Sequence, residues 1–215
     1  MGRDSRRTTG KDALAPIVVG DQDIGDVLVQ ALAVKDDVER YAHGYHTYPA
    51  GLHPDAARML IAALPGDRLL DPFCGGGTTL TEAMAAGREA FGRDVSPVAL
   101  RVARGRTALC DEARLTAFRS ASRKMVEEAR RSQVQPDSRV YNALESWYAP
   151  VALIELNYLI QAVRSADPSI RPLLELALSA IMVKVSWRQS DTSASRLKHN
   201  RPAGTTAILF HKKCR

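Results

Sequence analysis

Three cysteines in 215 residues, none of them in a C-x-x-C pair, leave no material for a disulfide framework or a cysteine-rich zinc site. Cys74, Cys110 and Cys214 stand far apart in the chain. Long apolar runs are missing too. No window approaches the roughly 18 uninterrupted apolar residues a membrane helix needs, and the opening MGRDSRRTTGKDALAP lacks the apolar core of a secretory signal. These absences predict a cytoplasmic chain with no membrane partner. Internal repeats and low-complexity tracts are also lacking, which excludes a solenoid or a simple tail.

What is present is an ordinary mixture, 45% hydrophobic and 25% charged, enough for one domain with an appendage and a sizeable core. The net charge of +6 is unevenly placed. From Lys184 onward eight basic residues face the single acid Asp191. Such a block fits a nucleic-acid backbone, where lysine and arginine contacts release counterions, and it equally fits a solvated tail.

Residues 1 to 16 read as a loose polar arm. A helix is expected over DIGDVLVQALAVKDDVERYA, with Ile24, Val27, Leu28, Ala31 and Leu32 on one face. A histidine- and tyrosine-rich segment, HGYHTYPAGL, precedes a second helix with Pro54 in its first turn. Next, Arg68 to Asp71 read as a short buried strand, Gly75 to Gly77 as a tight turn, and Thr78 or Thr79 as a helix cap. Gly87 closes that helix, Glu89 to Asp94 form a second strand, and Ser96 caps a further helix. Strand, glycine turn, helix, strand, acid, helix is the first half of an open parallel sheet, which carries its ligand at the carboxyl ends of its strands. Beyond residue 110 the pattern is helical, with one further strand expected at Thr205 to Phe210.

Three ligands suit a glycine turn between strand and helix. A nucleotide phosphate wants G-x-x-x-x-G-K-[ST], and no lysine follows these glycines. A dinucleotide wants G-x-G-x-x-G, and Leu80 stands where the third glycine belongs. S-adenosylmethionine (SAM) is cationic, so an acid at the head of the turn has a purpose: Asp71 can pair with its ammonium group, and Asp94 can accept its ribose hydroxyls. Helix capping is the plainer role for both acids. Acid, turn and second acid together favour the ligand.

DPFCGGGTTLTEA, residues 71 to 83, resembles motif I of the amino-group DNA methyltransferases, which methylate adenine N6 or cytosine N4. HTYPAGLHPDAARMLI is similar to their motif X, and GRDVSPVAL to motif II. ALSAIMVKVSWRQSDTS is similar to a helical insertion seen in some members. The resemblance implies an α/β fold: a Rossmann-like SAM-dependent methyltransferase sheet, incomplete here, with a helical insertion. It implies SAM as cofactor, held by Asp71, Phe73, Gly75, Gly77 and Thr78, with Asp94 on the ribose and Thr47, Tyr48 and Pro49 near the methionine carboxylate. The expected organisation is an arm and helix over 1–40, a SAM-binding half over 41–110, and a helical region with a basic tail over 111–215. DNA is the expected nucleic-acid partner in preference to RNA, with restriction–modification as the expected setting.

One element of that family is missing. Methylating an exocyclic amine uses [DNS]-P-P-[YFW] to hold the flipped base, and the chain has no Pro-Pro dipeptide. Pro150, Pro168, Pro172 and Pro202 stand alone, none with both an acid or amide before it and an aromatic after it. No catalytic residue is assigned. A truncated enzyme, one half of a split enzyme completed by a complementary chain, and a non-catalytic SAM- or nucleic-acid-binding remnant are the readings left, beside an RNA guanine-N2 methyltransferase, whose motif I is closely similar. His43, His46 and His53 suggest a metal by count, but nothing supplies a fourth ligand, so no metal is expected. Cys74 reads as a filler, Trp147 and Tyr148 as core more than base-stacking residues, and Ser190 to Ser193 as a helix cap.

Overall fold

RLLD and EAFG pair in parallel, forming β1 (Arg68–Asp71) and β2 (Glu89–Gly92) in register from Arg68 opposite Glu89 to Asp71 opposite Gly92. The computed structural model describes residues 17–34, 40–49, 51–189, 195–198 and 202–215. Between the strands runs α3 (Thr78–Ala85), and after β2 comes α4 (Pro97–Arg106). Alternation along the strands decides which face is covered. Leu69 and Ala90 pack against Cys74, Leu80 and Ala103. Leu70 and Phe91 point away and remain 65% and 43% exposed, with the Arg68 guanidinium over the Phe91 ring.

Ahead of the sheet lie α1 (Gln22–Ala33), a 3₁₀ turn at His43–Tyr45, and α2 (Pro54–Ala63). Both helices start on side-chain caps: Asp21 accepts from the Ile24 amide, and His53 from the Asp55 amide. The expected apolar face of α1 is only partly used. Ala31 is buried, yet Ile24 and Leu28 are largely exposed and Leu32 is 78% exposed.

The main core lies in the second half of the chain, among α5 (Glu112–Arg131), α7 (Pro150–Arg164), α8 (Arg171–Val185) and α9 (Thr205–Lys213), with the short α6 (Ser138–Leu144) leading into α7. Leu159, Leu174, Ile181 and Phe210 are fully buried there, each contributing on the order of 1.5–3 kcal/mol. The charged α5 also has a core face, burying Phe118, Met125, Val126 and Ala129. Gly105 admits α8 to the surface of α4: a Cβ there would lie 2.5 Å from Leu176.

Two expectations are corrected. Thr205 to Phe210 is not a strand but the body of α9. Its helical start is fixed from α7, where the buried Glu155 accepts the Gly204 amide at 2.6 Å and the Ala207 amide at 2.8 Å. A carboxylate there satisfies amides that lack helical partners and complements the helix dipole. Nor does Thr78 or Thr79 cap α3, because Gly77, in the left-handed region at φ +82°, holds the cap position without a side-chain bond. Tyr148 is buried in the helical core as expected, while Trp147 packs at its margin. The arm at residues 1–16 and the Ser190 to Ser193 cap lie outside the described residues. Among the described residues no helix is long and apolar enough to cross a membrane.

Candidate functional site

At the carboxyl end of β1 the chain turns on its own acid. Asp71 Oδ1 accepts the Phe73 amide at 3.0 Å, and its other oxygen takes no hydrogen bond from any described residue. Parallel pairing continues past the strands, with Arg93 N donating to the Asp71 carbonyl and Cys74 N to the Arg93 carbonyl, both at 2.9 Å. Asp94 stands just beyond β2. Its Oδ2 accepts the Gly75 amide and its Oδ1 the Ser96 amide, both at 2.8 Å. Asp71 and Asp94 thus meet at the glycine turn. Their joint charge is felt by Cys74: burial pushes its thiol up, and the two carboxylates push it further the same way. A thiol so placed is a poor nucleophile, in keeping with a filler.

The three glycines answer to their protein neighbours. A Cβ on Gly76 would lie 2.9 Å from the Tyr48 side chain and 2.9 Å from a terminal nitrogen of Arg106; one on Gly77 would lie 2.9 Å from Ala103. Gly75 has φ +49° and faces the Tyr48 ring, which a Cβ would approach to 3.5 Å. Tyr48 therefore lies against the turn. Thr47 and Pro49 flank it and are exposed, as is Phe73 at 83%. Thr78 is buried at the first position of α3. A cleft of about 620 Å³ opens beside the turn, lined in part by Pro72, Cys74, Asp94, Val95 and Leu100. Asp94 is the one acid of that lining, beside two arginines, Arg93 and Arg104, and an apolar remainder that suits a nucleoside.

Sequence reasoning missed the groups that hold Tyr48 in place. Arg106, the last residue of α4, donates to the Gly76 carbonyl at 3.0 Å, to the His43 carbonyl at 3.2 Å, and to the His46 carbonyl. Glu82, buried in α3, accepts from Arg40 at 3.2 Å and from His43 Nε2 at 2.8 Å. A lone acid within the apolar run TLTEAMAA was the available signal for Glu82; nothing marked Arg106. The three histidines that suggested a metal are engaged separately: His43 on Glu82, His46 on Ser179 at 2.9 Å, and His53 as the α2 cap.

Residues 45–147, from the Tyr48 segment through the turn and α4 to Trp147, match the RMKL-like methyltransferase domain family. That stretch is similar to a methyltransferase domain. A Type II methyltransferase, M.MvaI of Kocuria varians, is 31% identical to this chain over 85 residues. The match spans 37% of this chain and 19% of that protein, so the chain aligns with about a fifth of the relative's length. No solved structure gives a significant match. Over residues 45–147, the small parallel sheet with helices around it is consistent with a methyltransferase-like α/β fold.

Proposed function

We propose that the chain binds SAM at the turn between β1 and α3 and serves methyl transfer to an exocyclic amino group of a DNA base, adenine N6 or cytosine N4. The observation that carries this reading is the convergence of Asp71 and Asp94 on one glycine turn, with Tyr48 against it. The free oxygen of Asp71 is available to an ammonium group, and each Asp94 oxygen retains a lone pair for a ribose hydroxyl. Phe73, exposed beside the turn, offers a face to the adenine. Thr47 and Pro49 would border the methionine end. SAM supplies an electrophilic methyl group; the chain's residues bind and orient it.

No [DNS]-P-P-[YFW] occurs in these residues. We assign the grip on the flipped base to no residue of this sequence; a complementary chain is one way to supply it. Titration calorimetry with SAM tests the cofactor half: binding by the parent chain and loss in Asp71→Ala and Asp94→Ala supports it, while a folded chain that ignores SAM rejects it. Methyl incorporation into DNA and RNA substrates, with and without a candidate complementary chain, tests the rest. Methylated RNA with unmodified DNA would overturn the choice of substrate.

A further inference from the structure

Trp147 sits under two guanidinium groups, Arg196 at 4.4 Å and Arg188 at 5.9 Å from its ring centre. Trp187 lies beside Lys198, at 5.2 Å. Local pairing builds the cluster. The Trp187 amide donates to the Trp147 carbonyl and the Leu197 amide to the Trp187 carbonyl, both at 2.8 Å, and Arg188 forms an antiparallel bridge with Arg196. Residues directly opposite in such a bridge share a face, and like charges placed so repel. Stacking on an indole offsets part of that repulsion, and Arg196 is steadied further by donating one terminal nitrogen to the Ser146 carbonyl at 2.9 Å, which leaves the rest of its fork for a ligand. Two forks and an ammonium held close together and exposed at Arg196 and Lys198 match a row of phosphates.

The placement also fits. Near Gly105, at the end of α4, lie Pro172 and Leu176 of the first half of α8. Near its start, Val98 and Arg101 share a cleft with Ser179 and Met182 of the second half. The two helices therefore run antiparallel, and α8 delivers Trp187 toward the end of the fold where α4 begins, just after Asp94.

We propose that Trp147, Trp187, Arg188, Arg196 and Lys198 form the surface that grips the phosphate backbone of the nucleic-acid substrate. This rests on the reading of a nucleic-acid methyltransferase and adds a surface made of residues other than those of the glycine turn. The chain's two tryptophans are both in this cluster, so its tryptophan fluorescence reports on this surface alone.

The test is a titration of the full chain with labelled single-stranded and duplex oligonucleotides across a salt series, reading anisotropy and tryptophan emission together. Binding should change the emission. In Arg188→Gln/Arg196→Gln the slope of log affinity against log salt should fall by about 1.8 for duplex, two lost phosphate contacts. The Lys198→Gln variant should lose about half as much. SAM titration of the same variants should be unchanged, which keeps this surface separate from the cofactor site. Binding without any emission change, an unaltered salt slope in a folded double variant, or no binding at low salt by the folded parent chain would each overturn the proposal. So would polyglutamate binding as tightly as the oligonucleotide, which would point to an acidic protein partner. If the double variant does not fold, Lys198→Gln and the parent chain's emission still decide.

Discussion

The Gly75 amide donates to the Asp94 carboxylate at 2.8 Å, so the turn after β1 is tied to the turn after β2 by one side chain. Asp94 holds the Ser96 amide with its other oxygen. Replacing it removes two charge-assisted bonds as well as the proposed ribose acceptor. Asp94→Ala should lower stability by about 2–4 kcal/mol and weaken SAM at least tenfold. Asp71→Asn keeps its acceptor oxygen for the Phe73 amide, so it should weaken SAM with little loss of stability. Denaturation paired with calorimetry separates the two; equal stability losses would contradict the assignment.

Gly77 and Gly87 offer a matched pair. Both have positive φ, +82° and +75°, but a Cβ at Gly87 meets open space and one at Gly77 meets Ala103. Gly87→Ala should cost about 1–2 kcal/mol from backbone strain. Gly77→Ala should cost about 1–3 kcal/mol more from overpacking. Urea midpoints of the two variants measure the difference, and equal midpoints would mean α3 and α4 are not pressed together at the turn.

His43 sets a pH dependence. Burial holds its pKa below the ordinary 6.5, against the opposing pull of Glu82. Nε2 donates to Glu82, and Nδ1 is buried without a partner, so the neutral ring fits the folded state. The unfolded chain therefore takes up this proton first, and stability contributed here is present above about pH 6.5 and lost as pH falls below it. Thermal midpoints between pH 5 and 8, as a range of about three units around that value, should decline on the acid side. The decline should be shallower in His43→Gln. An identical profile in the variant would assign the acid sensitivity elsewhere.

Glu155 makes a second long-range tie. Glu155→Gln retains an acceptor for one α9 amide but not the charge, and should destabilise by about 1–3 kcal/mol. Hydrogen exchange should show the first turn of α9 losing protection before α7 does. Uniform loss through both helices would argue against a local cap.

The order strand, turn, helix, strand, helix was legible because each boundary carries its own chemistry: Gly77 and Gly87 at positive φ, Ser96 ahead of Pro97. Asp94 was read as the last residue of the second strand, whereas β2 stops at Gly92 and Asp94 lies in the turn beyond it, its side chain on the Gly75 and Ser96 amides. Arg106 was not, since its partners are backbone carbonyls of Gly76, His43 and His46, far away in the chain and without any side-chain signature. The segment TTAILF shows the same limit. Its short apolar run suits strand or helix equally, and the decision falls to the carboxylate of Glu155, about fifty residues upstream. On α1, helical periodicity was read correctly, but a helix packed chiefly on α2 leaves part of that face in water.

The segment that covers the glycine turn is anchored partly from a great distance. Tyr45 donates its hydroxyl to the Lys213 carbonyl across 168 residues, and the Lys213 ammonium returns to the Tyr45 carbonyl. At roughly 5–20 residues per second on the ribosome, that separation of 168 residues is on the order of ten to thirty seconds of synthesis. The sheet and its turn can form early in that interval from neighbouring sequence. Arg106 and Glu82 hold the cover from nearer in the chain, and the tie to residue 213 is added later, so the nascent chain acquires its acids well before this distant anchor.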